Sequence, residues 1–175
     1  MKRIGLLRHA KSDWDDTAKR DFDRGLNDRG RRGAKLIGSH IRKEGGAFDM
    51  LLASPAERVR QTLASAAIGL DPVWDARLYL ASPTTICETV AEFAGDAASV
   101  LVAGHNPGLH EMLMQLVPPQ NENALFDEAA TKFPTATFAV IECDIERWKD
   151  IADAKGTLVH FRRPRDLDPA LGPVD

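Results

Sequence analysis

Arg8 and His9 stand side by side at the end of a short apolar run in "IGLLRHAKSDW" (residues 4–14). Arg58 follows a second such run in "LLASPAER", and His105 follows a third in "VLVAGHNPG". Two guanidinium groups and two imidazoles brought to one place make a site for a tetrahedral oxyanion. Arginine presents a planar fork of donors that matches phosphate oxygens and keeps its charge. A neutral imidazole is a competent nucleophile toward phosphorus, and nearby cations favour that neutral form. The chemistry these residue types imply is covalent: His9 attacks phosphorus and forms a phosphohistidine, Arg8, Arg58 and His105 hold the equatorial oxygens, and water then releases phosphate.

Residues so far apart meet only if the elements between them bring them together. Apolar runs at Arg3–Leu7, Asp49–Ala53, Ser99–Ala103 and Thr137–Ile141 read as strands, with a weaker one at Thr157–Phe161. Helical patterns alternate with them. Asn27 caps a helix running through Ala34, Leu36, Ile37 and Ile41 and stopping at Gly45–Gly46. In "SPAE", Ser54 is expected at the N-cap, Pro55 at the first helical position and Glu57 in a capping box. "SPTT" at 82–85 and "NPGL" at 106–109 repeat the cap-then-proline pattern. This alternation predicts an α/β fold with a mostly parallel sheet. Parallel strands place their carboxyl ends along one edge, where open α/β sheets bind ligands, and helix N-termini there add positive dipole ends. Residues 118–134 read as a long loop with one helical turn near Leu125–Ala130, and the tail from about residue 164 as irregular.

Composition bounds the rest. The 175 residues suffice for one domain, 1–175. A hydrophobic content of 43%, a charged content of 28% and a net charge of −3 fit a globular chain with no general pull toward nucleic acid or acidic membranes. Cys87 and Cys143 form no CxxC motif, and such sparse cysteine fits a reducing compartment. The apolar run after Lys2 and Arg3 is stopped by Arg8, too short for a signal peptide, and no segment approaches the roughly 20 apolar residues that span a bilayer. A cytoplasmic location is the expectation; the oligomeric state is left open.

"LLRHAKSDW", "DRGLNDRG", "ASPAERVRQT" and "VAGHNPG", in that order, resemble the histidine phosphatase superfamily, most closely its SixA-like branch of phosphohistidine phosphatases, from residue 2 to about 142. The resemblance implies a phosphoglycerate mutase-like three-layer α/β/α sandwich with no metal or organic cofactor. It implies His9 as the phosphorylated nucleophile and Arg8, Arg58 and His105 as the phosphate pocket. Arg24 in "DRGLN" and Ser12 beside the nucleophile are the auxiliary substrate contacts. Arg24 has a second reading, a salt bridge to Asp21 or Asp23. The superfamily's usual glycine after Arg-His is here Ala10, as is common in the SixA-like branch.

A proton donor is the conspicuous departure. Superfamily mutases and many of its phosphatases carry a glutamate soon after an Arg-Leu pair; here "ARLYLASP" offers Tyr79 and no acid. General acid help is worth about 10²–10⁴ in rate. A phosphoramidate needs it less than an ester, because the leaving imidazole nitrogen is readily protonated. The implied substrate is therefore phosphohistidine on a partner protein. Asp13 or Glu88 are substitute donors, and the alternatives are a phosphatase for a small phosphorylated metabolite and a non-catalytic phosphate-binding module. Zinc at His9, His105 and His110 fits no ligand spacing, and flanking arginines would repel it. His40 is expected to be solvated, Arg60 a surface residue, and Lys11 and Trp14 either substrate contacts or loop packing.

Overall fold

The computed structural model describes residues 1–173. Six strands form one sheet: β1 (Lys2–Arg8), β2 (Met50–Ala53), β3 (Pro72–Trp74), β4 (Ser99–Gly104), β5 (Phe138–Cys143) and β6 (Gly156–Arg162). Their order is β3-β2-β4-β1-β5-β6. The four strands from β3 to β1 pair in parallel, and β5 runs antiparallel to both β1 and β6. The expected mostly parallel sheet is thus present. β3 was not among the expected strands; at three residues, one of them proline, it carries too little apolar periodicity to be seen.

Both faces of the sheet are covered, which is why β1 and β4 read as continuous apolar runs rather than alternating ones. Ile4, Leu6, Val100 and Val102 face a core built with α3 (Pro83–Phe93) and α4 (Gly108–Leu116). Leu7, Leu51, Leu101 and Val140 face the other core, built with α1 (Asp28–Glu44) and α2 (Glu57–Ala66). The result is the three-layer α/β/α sandwich. Asn27 caps α1 as expected, its side chain accepting from the Gly30 amide, and Ser82 caps α3 by accepting from Thr85.

Several local expectations change. α2 begins at Glu57 with Ala56 at its N-cap, so Ser54 is not the cap of a capping box; its hydroxyl is taken by His105 instead. α4 likewise begins at Gly108, with Pro107 as its N-cap. Residues 118–134 are more ordered than a loop: a 3-10 turn precedes α5 (Ala124–Thr131), capped by Asn123, whose side-chain amide also donates to Leu158. The tail is not irregular but forms α6 (Pro164–Leu167) and a further 3-10 turn at Pro169–Leu171. His40 is buried, not solvated, with its Nε2 at 2.7 Å from Nε2 of His160. Both cysteines are free and buried. No helix among the described residues is long and apolar enough to cross a membrane.

Candidate active site

β1, β2 and β4 end together, because Arg8 pairs with Gly104 and Ala53 with Ala103 across parallel ladders. The chain leaving each strand therefore enters the same space. The His9 amide donates to the Gly104 carbonyl at 3.0 Å, and the Ser54 amide donates to Ala103 at 3.0 Å. His9 and His105 consequently lie ring against ring, with centroids 5.4 Å apart.

His9 has a defined tautomer. Its Nδ1 lies 2.8 Å from the Ala10 carbonyl oxygen. A carbonyl only accepts, so Nδ1 carries the proton and Nε2 keeps its lone pair. Burial, reinforced by the Arg8 and Arg58 cations and opposed by the Ala10 contact, pushes the imidazole down to about 4. His9 is thus neutral at physiological pH, with an unprotonated nitrogen.

His105 is 3% exposed, and its Nε2 lies 2.7 Å from the Ser54 hydroxyl. Burial first, then His9 and the arginines, pushes it down to about 3. Ser54 already accepts from the Ala56 amide at 3.3 Å, so its hydroxyl proton is free to point at His105 Nε2, which puts the ring proton on Nδ1. His105 Nδ1 and Arg8 Nε are both buried with no hydrogen-bond partner among the described residues. Buried donors are almost always satisfied, so two such groups beside His9 mark where an acceptor belongs.

Arg58 is 5% exposed and holds Asp21 twice: Nη1 donates to the Asp21 carbonyl at 2.8 Å and Nη2 to its carboxylate at 3.0 Å. The Tyr79 hydroxyl donates to the same carboxylate, and its ring stands edge-on to His105 at 5.4 Å. The Tyr79 hydrogen bond, helped by Arg58 and working against burial, keeps the Asp21 carboxyl below its usual range. Asp21, which is bonded to Arg58, is therefore ionised at neutral pH. Glu88 is exposed on α3 among Cys87, Met112 and Lys149, away from the site, and Asp13 accepts from its own loop at Asp15.

Motif residues without chemistry of their own hold this arrangement. Thr62 accepts from the Ala10 amide at 2.9 Å and donates to the Arg58 carbonyl at 2.6 Å, tying the nucleophile's loop to the arginine's helix. Gln61 accepts from the Leu26 amide at 2.7 Å and donates to Glu57 at 3.0 Å. A side chain on Gly25 would fall 2.5 Å from the Gln61 amide, and one on Gly30 would fall 2.1 Å from the Lys11 carbonyl oxygen. "RGLNDRG" needs its glycines so that these segments can close on the site.

The structure brings Arg8, His9, Arg58 and His105 together. Arg24 is buried; its Nη atoms donate to the carbonyls of Asp13, Asp16 and Lys19, its Nε has no hydrogen-bond partner among the described residues, and its guanidinium lies 4.0 Å from the Trp14 ring. It makes neither expected salt bridge, because Asp23 pairs with Arg20 and Asp21 with Arg58. Ser12 is buried, and its backbone pairs with Leu26 and accepts from Asn27. The Arg24 Nη donors and the Ser12 backbone thus hold the loop after His9. Arg60 lies on the surface over Trp74, as expected. Asp21 and Tyr79 were not expected in the site; Tyr79 was noticed only as standing where an acid was missing. No group of three or more histidine, cysteine or acidic residues among the described residues is placed to hold a metal ion.

The sequence profile of the histidine phosphatase superfamily (branch 1) matches residues 4–80. An uncharacterised protein of Mycobacterium tuberculosis is 36% identical over 160 residues, covering 91% of this chain and 100% of that one. Among solved structures, a candidate phosphohistidine phosphatase SixA of Nakamurella multipartitia superposes with a TM-score of 0.82 at 32% identity, over 93% of this chain and 96% of that one. A candidate SixA of Agrobacterium tumefaciens superposes with a TM-score of 0.76 at 30% identity, over 93% and 99%.

Proposed function

Because the chain belongs to the histidine phosphatase superfamily, we propose that it is a phosphatase that passes a phosphoryl group through His9, with phosphohistidine on a partner protein as its substrate. The observation that carries this reading is the pair of unpartnered buried donors, Arg8 Nε and His105 Nδ1, beside a histidine whose Nε2 is unprotonated.

In the first step His9 Nε2 attacks phosphorus and the bond from phosphorus to the leaving nitrogen breaks. That nitrogen takes a proton from solvent. Arg8, Arg58 and His105 neutralise the charge building on the equatorial oxygens. In the second step water attacks the phosphorylated His9, gives up a proton to solvent and leaves inorganic phosphate and neutral His9. Nδ1 keeps its proton on Ala10 throughout, which fixes the ring's orientation.

The substrate class follows from the acid the site lacks. Asp21, held ionised by Tyr79 and Arg58, has no proton to give an alkoxide. A leaving imidazole needs little help, so the arrangement favours a phosphoramidate. The SixA-named neighbours support the same choice. The test offers a histidine-phosphorylated peptide and a panel of phosphomonoesters to the wild type and to His9→Ala. Turnover of the peptide well above the esters, lost in His9→Ala, is expected. Preferential ester turnover would point to a small-metabolite phosphatase, and binding without turnover in both proteins to a non-catalytic module.

A further inference from the structure

Beside the phosphate pocket, and sharing Arg8 with it, lies a cavity of about 360 Å³ that the reaction above does not use. Among the described residues six cations line it, Arg8, Lys11, Arg29, Lys132, Arg163 and Arg165, and no acidic residue does. They come from β1, the loop after it, α1, the end of α5 and the C-terminal segment, so the cluster is assembled by the fold. The neighbouring acids are already engaged. Asp166 pairs with Arg163 at 2.9 Å, and Asp168 reaches Arg32 at 3.3 Å. Arg29 is held by the carbonyls of Ala170 and Gly172. Lys11, Lys132 and Arg165 have no ion pair and no side-chain hydrogen bond among the described residues, which leaves three unmatched charges around one concavity. Like charges gathered in a cleft focus a positive potential onto whatever enters it.

We propose that this cavity is a second anion subsite, which holds a carboxylate or phosphate carried by the substrate outside the phosphoryl group that reacts. The proposal rests on the phosphatase reading for what enters the site, and deepens it: the substrate is anionic at two places, bridged by Arg8. Two sources offer that chemistry. One is an acidic side chain flanking a phosphohistidine, and the other is the second phosphate of a small bisphosphorylated molecule. Arginine and lysine clusters serve either, by forked hydrogen bonds and point charge respectively.

Binding measured in the His9→Ala background separates this proposal from the reaction. The probes are a histidine-phosphorylated peptide with glutamates on both sides, the same peptide with alanines, a hexose 1,6-bisphosphate and a hexose 6-phosphate. Calorimetry at low ionic strength is expected to show the glutamate peptide or the bisphosphate binding about tenfold tighter than its single-anion counterpart, the scale of a few partly exposed charge pairs. Lys132→Gln with Arg165→Gln, both without partners among the described residues, should abolish that preference. A preference confined to the peptides identifies an acidic protein segment; one confined to the hexoses identifies a small bisphosphate. Equal binding within both pairs, or a preference that survives the double substitution, overturns the subsite. Failure of the phosphatase reading shows separately, as absence of turnover by the chain that retains His9.

Discussion

Asp21 occupies both donor ends of Arg58, taking Nη1 on its carbonyl at 2.8 Å and Nη2 on its carboxylate at 3.0 Å. A phosphoryl oxygen that engages the remaining N–H donors of Arg58 meets the negative charge of that carboxylate, which Tyr79 holds in place. The carboxylate's side chain is 46% exposed, so its electrostatic effect is partly screened by solvent.

Asp21→Asn removes this repulsive charge. Inorganic phosphate is expected to inhibit the variant about threefold more tightly, the scale of one partly exposed ion pair. The inhibition constant for phosphate in the two proteins checks this. Weaker inhibition in Asp21→Asn would mean that Asp21 serves chiefly to orient Arg58.

The nucleophile's protonation sets a second expectation. His9, pushed down to about 4 by burial and the neighbouring arginines, is already neutral at pH 5. With substrate ionisation accounted for, kcat/KM should show no acid limb near 6.5, the ordinary histidine value. The limb belongs near pH 4. A profile halving at pH 6.5 would show a solvated His9.

Stability should depend on pH through the same groups. His9, His105, His40 and His160 are all lowered by burial in the folded chain. On acidification the unfolded chain takes up protons at about 6.5 while the folded chain does not, so the unfolded state gains. The histidine contribution is whole above pH 6.5 and is lost as the pH falls below it toward the folded value, about 4 for His9 and about 3 for His105, at up to about 1.4 kcal/mol per pH unit for each of these two; His40 and His160 act in the same direction. Thermal unfolding between pH 7.5 and 5 is expected to show Tm falling steadily; a flat or rising Tm would contradict the burial of the two histidine pairs.

Thr62 offers a test of the scaffold alone. It is fully buried, and Thr62→Val keeps its shape while leaving the Ala10 amide without its acceptor. An unsatisfied buried donor costs about 1–3 kcal/mol. For a domain of this size that is a Tm lower by about 2–12 °C. Activity should fall as well, because Ala10 orients His9 through its carbonyl. Unchanged Tm and kcat would remove Thr62 from the supporting network.

The convergence of Arg8, His9, Arg58 and His105 was legible from sequence because each follows an apolar run, and parallel strands put such ends on one edge. The supporting partners were not. Ser54 carries every local mark of a helix cap, yet α2 begins later and the Ser54 hydroxyl, while accepting from the Ala56 amide, also meets His105, a residue 51 positions away. Asp21 and Tyr79 are separated by 58 residues and meet only through the packing of the turn at 21–23 against α2. His40 sits in a charged stretch of α1 that reads as solvated until β6 brings His160 against it. Local chemistry located the strand ends; which side chain answers which across the site is set by packing.

Trapping the phosphoryl group on the chain tests the account most directly. Mixing the protein with a histidine peptide carrying labelled phosphate, quenching within one turnover in alkali, and mapping the label should place an acid-labile phosphoryl on the peptide that contains His9, with none in His9→Ala. Turnover by the wild type with no label on His9, or undiminished turnover by His9→Ala, would contradict it.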